Sequence, residues 1–479
     1  MSSERDSNMS DQPSIKKNFA YKSALTLSNY LMAFITFPYV SRILGVERFG
    51  LVNFVDNTVG YFLLFATLGV NILGVREIAA AKDNREERDR VFSNIIGMNI
   101  GFTAITLLAY MLIVASFPKL NQYSELFFIG AAKIVFTAFL VEWFFTGIEN
   151  FKYITLRSLA IKSLYVIAVF LFVKTRDDYK LYFIMTIGTV VLNAIVNSIY
   201  VRRFAKIVWR EMISFRYIKQ NGILGIYTIM TSMYLTFNVM FLGLVSDNTE
   251  VGYYTTAFKV YAVVLGLFSA FTNVMLPRMS ALLAGGEEER FQQLINKSFR
   301  WMCSFCIPMI VCTAILAPQI IYILSGPGYE GAVTPMRIIM PAALFVGIAQ
   351  VLAMQVLMPM KKDRTLFVAS IIGATISIII NISIVPQLQS VGSAIVLLCS
   401  EIAVTATYIA YLKRNKLVVI PYGSLLNGSL LAVPTALVCL CCQYVFDNLF
   451  IILIASVLLS ACPIYILLRY NRLYYAKES

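Results

Sequence analysis

The sequence predicts an all-α polytopic membrane protein that crosses the bilayer with about fourteen helices. Of the 479 residues, 59% are hydrophobic and 14% are charged, whereas about a quarter of the residues in a soluble globular domain are charged. The mean hydropathy is +0.74, and the apolar residues form continuous runs of about 20, the length that crosses a bilayer as a helix. Strands of a membrane barrel would be shorter and would alternate apolar with polar residues. The predicted spans are 18–43, 51–75, 94–117, 123–147, 154–173, 181–201, 220–245, 251–277, 300–324, 332–358, 365–385, 391–412, 423–446 and 449–470.

The loops support this number of helices and predict the orientation of the chain. With both termini in the cytoplasm, 30 of the 40 Lys and Arg residues fall on the inside, Arg157 among them, and 6 fall on the outside. Cytoplasmic loops of membrane proteins carry such an excess of basic residues. The asymmetry alternates without a break, and one missed or added helix would invert it from that point onward.

Composition excludes several classes of function. The chain has no histidine, which excludes an imidazole base and a His-ligated metal. The formal charge of +14 is accounted for by the cytoplasmic loops, so no nucleic-acid partner is inferred. Cys303 and Cys306 have CxxC spacing, but they lie in an apolar run, where thiols behave as small hydrophobes. No metal site and no catalytic residues are predicted.

Two segments share a motif at a fixed offset, which indicates an internal repeat. LGVERFGLVNF follows the first span and DNTEVGYYTTAF follows the seventh, and an offset of 202 residues aligns Gly50 with Gly252. The same offset aligns Arg76 with Arg278 at the cytoplasmic ends of the next helices. Helices 1–6 and 7–12 both begin inside, so the halves form a parallel repeat about an axis along the membrane normal.

This repeat predicts two six-helix lobes followed by two additional helices. The basic stretch between the lobes serves as their linker. The predicted divisions are a cytoplasmic N-terminal segment 1–17, an N-lobe 18–201, an inter-lobe linker 202–219, a C-lobe 220–412, helices 13 and 14 within 423–470 and a cytoplasmic tail 471–479.

Charged residues inside the spans are the candidates for a site. A charge at a helix centre costs about 2.5–3.5 kcal/mol, so such residues face a cavity, pair with one another or reach an interface. As a set they predict a water-filled cavity with a net positive lining that receives an anionic group. The alternative is a set of structural ion pairs, for instance Lys133 with Asp56. The charged residues are Lys133, Lys162, Lys259, Arg337, Asp56, Glu142 and Glu401.

The sequence predicts no nucleotide-hydrolysing machinery, so movement of a ligand through such a cavity would have to be driven by a gradient. The sequence contains no glycine-rich phosphate-binding loop, so nucleotide hydrolysis is not predicted. We expect no cofactor. An H+ or Na+ gradient, or the gradient of the substrate itself, is the expected driving force.

Three stretches of the sequence carry a family resemblance: PYVSRILGVERFGLVNF (38–54), LGVNILGVREIAA (68–80) and VEWFFTGIENFKYI (141–154). As a set they resemble the bacterial polysaccharide, or O-antigen, flippases of the multidrug/oligosaccharidyl-lipid/polysaccharide exporter superfamily. The matching residues border the membrane interfaces, where gating or folding roles are expected, and Gly252 and Arg278 are their counterparts in the second half. The matching residues are Arg42, Glu47, Gly50, Arg76, Glu77, Glu142, Trp143 and Gly147.

The resemblance implies two lobes that form a V around a central cavity. It implies that undecaprenyl-diphosphate-linked oligosaccharide moves by alternating access from the cytoplasmic to the periplasmic leaflet of the inner membrane. The cavity would hold the sugar and diphosphate while the prenyl tail stays in lipid. A polysaccharide polymerase and a chain-length regulator are the implied partners.

Three other functions are the alternatives to an oligosaccharide-lipid flippase. A drug/cation antiporter of the same superfamily would need an acidic cavity, which the intramembrane basic residues argue against. A peptidoglycan-precursor flippase also has fourteen helices and a cationic cavity, and the motifs at 38–54 and 141–154 lean away from it. A membrane polymerase or ligase would carry a large outer loop with catalytic residues, whereas no outer loop here exceeds about 20 residues, long for an ordinary connection.

Overall fold

A computed structural model describes residues 15–214 and 216–461. Within these ranges the chain is helical and contains no β-strand. Single helical turns connect some of the helices at Arg176–Asp178 and Glu330–Ala332, and a π-helical segment spans Val351–Leu357. The helices are α1 (Ile15–Thr67), α2 (Val70–Ala80), α3 (Arg85–Ser116), α4 (Pro118–Asn121), α5 (Ser124–Thr137), α6 (Glu142–Gly147), α7 (Phe151–Phe172), α8 (Tyr179–Val201), α9 (Trp209–Met212), α10 (Ile218–Val245), α11 (Asn248–Ala284), α12 (Glu288–Ile315), α13 (Ala317–Ser325), α14 (Val333–Ile339), α15 (Ala342–Gln350), α16 (Asp363–Arg414), α17 (Gly423–Val445) and α18 (Leu449–Ala461).

Two of the long helices are broken near their middle. In α1 the backbone leaves helical geometry at Gly45 (φ 71°, ψ 167°), where glycine enters the left-handed region without a Cβ clash. In α16 the break is at Gln389 (φ 51°, ψ −123°), three residues after Pro386. Proline weakens the helix there because it has no N–H to donate. Each broken helix therefore consists of two straight segments.

Ten of the described helical segments are long and apolar enough to cross a membrane, which confirms an all-α polytopic architecture. The broken helix α16 contains two predicted spans, 365–385 and 391–412, one on either side of the break, and α1 contains the span 18–43 and the part of 51–75 up to Thr67. The last predicted span, 449–470, coincides with α18 as far as Ala461, and its remaining residues lie outside the described part of the chain. The total of fourteen spans stays a prediction.

Two predicted spans contain an interruption at a residue with positive φ, which hydropathy does not reveal. The predicted helix 51–75 stops at Thr67, and Leu68 has a φ of 40° before α2 begins. The predicted helix 123–147 is divided at Val141, which also has a φ of 40°. Glu142 is the one charged residue within four positions of Leu68 or Val141, so the hydropathy profile stays high across both interruptions.

The described chain forms two compact units. The first unit contains the residues up to Leu44 and Phe54–Ile229, and the second contains Gly45–Asn53 and the residues from Met230 onward. The short segment Gly45–Asn53 therefore packs with the second unit, although it lies early in the sequence. The predicted lobes, linker and V arrangement stay predictions.

Two of the family-like stretches pack against each other in the first unit. Trp143 on α6 is 4% exposed, and its ring covers Gly74 on α2, where an added β-carbon would lie 2.5 Å from the ring. Gly147 faces α2 in the same way, because its β-carbon would lie 2.7 Å from Cγ2 of Ile78. Small residues let helix backbones approach closely inside a membrane. The two stretches thus form a tight helix–helix contact.

We expect Gly74→Val to destabilise the protein, because the new side chain would overlap the indole ring of Trp143. Overpacking a core costs about 1–3 kcal/mol, and the apparent Tm of the detergent-solubilised protein should fall by roughly 3 °C or more. Gly101→Val is the matched control, since Gly101 also lies within a long helix but has no atom within 4 Å of an added β-carbon. Equal Tm values for the two variants would contradict the packing described here.

Candidate functional site

Two charged residues meet in the middle of the first unit. Asp56 lies on the second segment of α1 and Lys133 lies on α5, and Lys133 Nζ donates to Asp56 Oδ1 at 2.6 Å. Asp56 is eleven residues from both Gly45 and Thr67, so it lies about 16 Å from either end of its segment at 1.5 Å per residue. The side chains are 33% and 19% exposed. The pairing named as the alternative from sequence is therefore present, and both groups remain accessible.

Arg157 is a buried cation that the loop analysis missed. It was assigned to an inside loop, but it lies in the second turn of α7 and is 7% exposed. Its guanidinium pairs with Glu142 and donates to Asn197 Oδ1 on α8. Tyr153 also donates to Asn197 Oδ1, at 2.9 Å. These contacts tie α6, α7 and α8 together at the predicted cytoplasmic end of the first unit.

Lys162 lies on α7, five residues after Arg157. It is half-buried and interacts electrostatically with Glu142 and Arg157. Together with Lys133, these cations outnumber the carboxylates of Asp56 and Glu142 by three to two. Among these five residues, three cations therefore face two carboxylates.

The remaining candidates of the predicted cavity lie in the second unit. Lys259 is half-buried on α11, and Glu401 is 4% exposed on α16. Arg337 is exposed on α14, and its Nε donates to Ala314 O at 3.0 Å. The three residues stand on three different helices.

The two glycines aligned by the repeat touch each other in the second unit. A β-carbon on Gly50 would lie 1.8 Å from Asn248 O, and one on Gly252 would lie 2.4 Å from Val46 O. Val46 and Asn248 are themselves 202 residues apart, so the contact is reciprocal, as in a two-fold symmetric interface. Residues aligned by the sequence repeat are thus in contact with each other at the predicted outer end of these helices.

A carboxylate on the same helix, two residues before Gly252, binds the start of another helical segment. Glu250 Oε2 accepts from the backbone N–H of Ser390 at 3.1 Å and from its hydroxyl group. Ser390 is the first residue after the break at Gln389, so the carboxylate lies at the start of the second segment of α16. An anion is favourable there because the first N–H groups of a helix have no partner within the helix.

A second pair of glycines packs at the predicted cytoplasmic end, within the first unit. A β-carbon on Gly69 would lie 2.4 Å from Leu224 Cβ and 3.0 Å from Gly225 N, and one on Gly225 would lie 2.8 Å from Leu68 Cβ. Arg76, on α2, pairs with Glu77 at 2.9 Å and donates to Gln220 Oε1 at 3.1 Å. Both contacts join the beginning of α10 to the region around α2.

The other family-like charged residues are exposed. Arg42 and Glu47 flank Gly45, the break in α1, and Arg278 lies near the end of α11. Within the residues that the structure describes, no group of three or more His, Cys, Asp and Glu side chains is arranged to hold a metal ion. The candidate functional features are the ion pairs Asp56–Lys133 and Glu142–Arg157 and the close glycine contacts.

These features define an all-α polytopic membrane protein. A family model described as polysaccharide biosynthesis protein matches residues 15–283, which is more than half of the chain. The chain therefore belongs to this family, as the resemblance of the three motifs predicted.

Curated relatives carry a corresponding name. The chain is 26% identical over 415 residues to a protein of Escherichia coli (strain K12) named "Putative O-antigen transporter", with 85% of this chain and 98% of the relative covered. It is 25% identical over 401 residues to a Shigella dysenteriae protein of the same name, with 81% and 98% covered. The similarity spans nearly the whole length of both relatives.

Solved structures share the fold. The chain matches a lipid II flippase, MurJ, in an inward closed conformation with a TM-score of 0.77 at 18% identity, covering 96% of this chain and 99% of the other. It also matches an outward-facing MATE-family multidrug resistance transporter of the MOP superfamily with a TM-score of 0.53 at 16% identity, covering 82% and 95%. At these identities the matches establish the fold alone.

Arg157→Met should lower the apparent Tm strongly, because it leaves Glu142 and Asn197 without their shared donor. Breaking a fully buried ion pair costs about 3–5 kcal/mol, and we expect roughly 2–4 kcal/mol because Glu142 remains half exposed. Arg90→Met is the control, since Arg90 pairs with Glu86 on the exposed surface of α3 and such pairs contribute little. An Arg157→Met protein as stable as the wild type would refute a structural role for this network.

Proposed function

We propose that the protein is a flippase that moves undecaprenyl-diphosphate-linked oligosaccharide from the cytoplasmic to the periplasmic leaflet by alternating access. The observation that carries the proposal is the set of charged and hydroxyl-bearing groups held inside apolar spans, in a chain of the polysaccharide biosynthesis family. Relatives named as O-antigen transporters support it. The product would serve the synthesis of cell-surface polysaccharide.

Physical chemistry explains why such a substrate needs a polar path. A sugar that enters hydrocarbon must give up its hydrogen bonds to water, at a cost of about 2–7 kcal/mol for each unpaired group. Partly exposed ion pairs such as Asp56–Lys133 offer replacement donors and acceptors. The excess of Lys133, Arg157 and Lys162 over the carboxylates of Asp56 and Glu142 favours an anionic diphosphate over a cationic drug.

The proposal places the protein in the inner membrane with both termini in the cytoplasm, without a catalytic step. It includes no cofactor, and it assigns the driving force to an H+ or Na+ gradient or to the gradient of the lipid-linked sugar. A polymerase and a chain-length regulator would act on the sugar after translocation.

A peptidoglycan-precursor flippase is the second candidate. It is favoured by the likeness of the fold to a lipid II flippase, with a TM-score of 0.77. Family membership over residues 15–283 favours the polysaccharide substrate instead. The two candidates differ in the sugar and peptide attached to the same class of lipid carrier.

Leaflet accessibility in reconstituted vesicles tests the proposal. Purified protein is placed in liposomes with undecaprenyl-diphosphate oligosaccharide, with lipid II, or with a cationic dye trapped inside. A membrane-impermeant lectin reports exposure of each sugar lipid. We expect protein-dependent exposure of the oligosaccharide lipid, little exposure of lipid II and no dye efflux. Transport of lipid II alone would favour the second candidate, and dye efflux alone would refute both.

We expect Gly252→Leu to lower flipping about tenfold or more, a barrier increase of about 1.4 kcal/mol. A leucine there would collide with the backbone oxygen of Val46 and prevent the reciprocal glycine contact from forming. Gly222→Leu is the control, because Gly222 has open space around an added β-carbon. The assay compares equal amounts of monodisperse protein. Wild-type flipping by Gly252→Leu would contradict a role for this contact in the transport cycle.

A further inference from the structure

Three hydroxyl-bearing residues within electrostatic range of the Asp56–Lys133 ion pair were not singled out from the sequence. Tyr165 on α7 and Tyr182 on α8 both interact electrostatically with the carboxylate of Asp56. The hydroxyl group of Tyr165 lies 3.3 Å from Thr186 Oγ1, within hydrogen-bond distance. Four segments of the first unit, from α1, α5, α7 and α8, therefore contribute to one polar cluster.

The ion pair is suited to neutral polar ligands. At 2.6 Å the charge of Lys133 is compensated by Asp56, so the pair as a whole attracts a phosphate weakly. Its carboxylate still has lone pairs to accept hydrogen bonds, and its ammonium still has two protons to donate. Such groups match sugar hydroxyls, each of which donates one hydrogen bond and accepts others.

The tyrosines add the other two elements of sugar recognition. Each phenol both donates and accepts a hydrogen bond, and each ring offers an apolar face to the C–H side of a pyranose. Tyr165, Tyr182 and Thr186 are partly exposed. Asp56 and Lys133 are also partly exposed near the middle of their helices, where contact with lipid would be costly. Each of the five residues therefore has exposed surface at which a polar ligand can make contact.

We propose that Asp56, Lys133, Tyr165, Tyr182 and Thr186 form a subsite that binds the sugar, and not the diphosphate, of the transported lipid. This inference rests on the proposed function and deepens it, because it assigns sugar selectivity to one cluster in the first unit. Among the cations of this unit, Lys133 then serves hydroxyl recognition, which differs from its predicted role as a counter-charge for the diphosphate.

Binding of two lipids that differ only in the sugar tests the inference. The full-length protein in lipid nanodiscs is titrated with undecaprenyl diphosphate carrying an oligosaccharide, and separately with sugar-free undecaprenyl diphosphate. The variant is Tyr165→Phe/Tyr182→Phe, which removes two hydroxyl groups and keeps both rings. Tyr110→Phe is the matched control, because the Tyr110 hydroxyl donates to Phe127 O at 2.7 Å inside the same unit.

We expect the double variant to bind the sugar-bearing lipid about tenfold more weakly, since two net hydrogen bonds of about 0.7 kcal/mol each amount to one factor of ten. Its affinity for the sugar-free lipid should stay within about twofold of the wild type. The single variant Tyr165→Phe should give an intermediate loss, which keeps the test available if the double variant misfolds. Tyr110→Phe should bind both lipids as the wild type does.

Four results would overturn the inference. An equal loss for both lipids would assign the cluster to the diphosphate, and no loss for either would make it structural. Wild-type protein that binds the two lipids equally would show that the sugar is not recognised, while the proposed function would stand. Wild-type protein that binds neither lipid would overturn the proposed function together with the inference.

Discussion

The cost of placing charge in hydrocarbon is the constraint on which this structure depends. Asp56 and Lys133 lie near the middle of their helices, and each alone would cost about 2.5–3.5 kcal/mol. At 2.6 Å they neutralise each other and fix the register of α5 against the second segment of α1. The charge of Arg157 is likewise compensated, by an ion pair with Glu142 and a hydrogen bond to Asn197. Polar groups can therefore stand along the first unit, where an oligosaccharide needs replacements for water.

Close packing at glycine is the second feature that shapes the molecule. Lipid-embedded helices gain no hydrophobic energy by associating, so they depend on close backbone approach. Gly74 gives Trp143 room to cover α2, which stabilises the fold. Gly50 and Gly252 instead approach each other across residues related by the repeat. The first contact belongs to the core of a unit, and the second is the one that we assign to the transport cycle.

The sequence predicted much of the fold because long apolar runs and alternating loop charges leave few alternatives. It named a pair of Lys133 with Asp56 as the alternative to a cavity lining, and it aligned the two glycines that touch. It missed the buried Arg157. This residue lies in the second turn of α7 and only five residues after Lys152, so it was counted with the basic residues of the inside loop. Tyr165 and Tyr182 were missed because tyrosine is common in apolar helices and carries no formal charge. Only the packing of α7 and α8 around Asp56 distinguishes them.

A charge-swap cycle tests the central claim most directly. Asp56→Lys and Lys133→Asp are made singly and together, and the flipping of oligosaccharide lipid and the apparent Tm are measured for each. The account predicts that both single variants lose flipping and stability, because each places two like charges side by side in a span. The double variant restores an ion pair and should recover most of the stability and part of the transport. A double variant no better than the worse single variant would contradict the pairing as the organising interaction of the first unit.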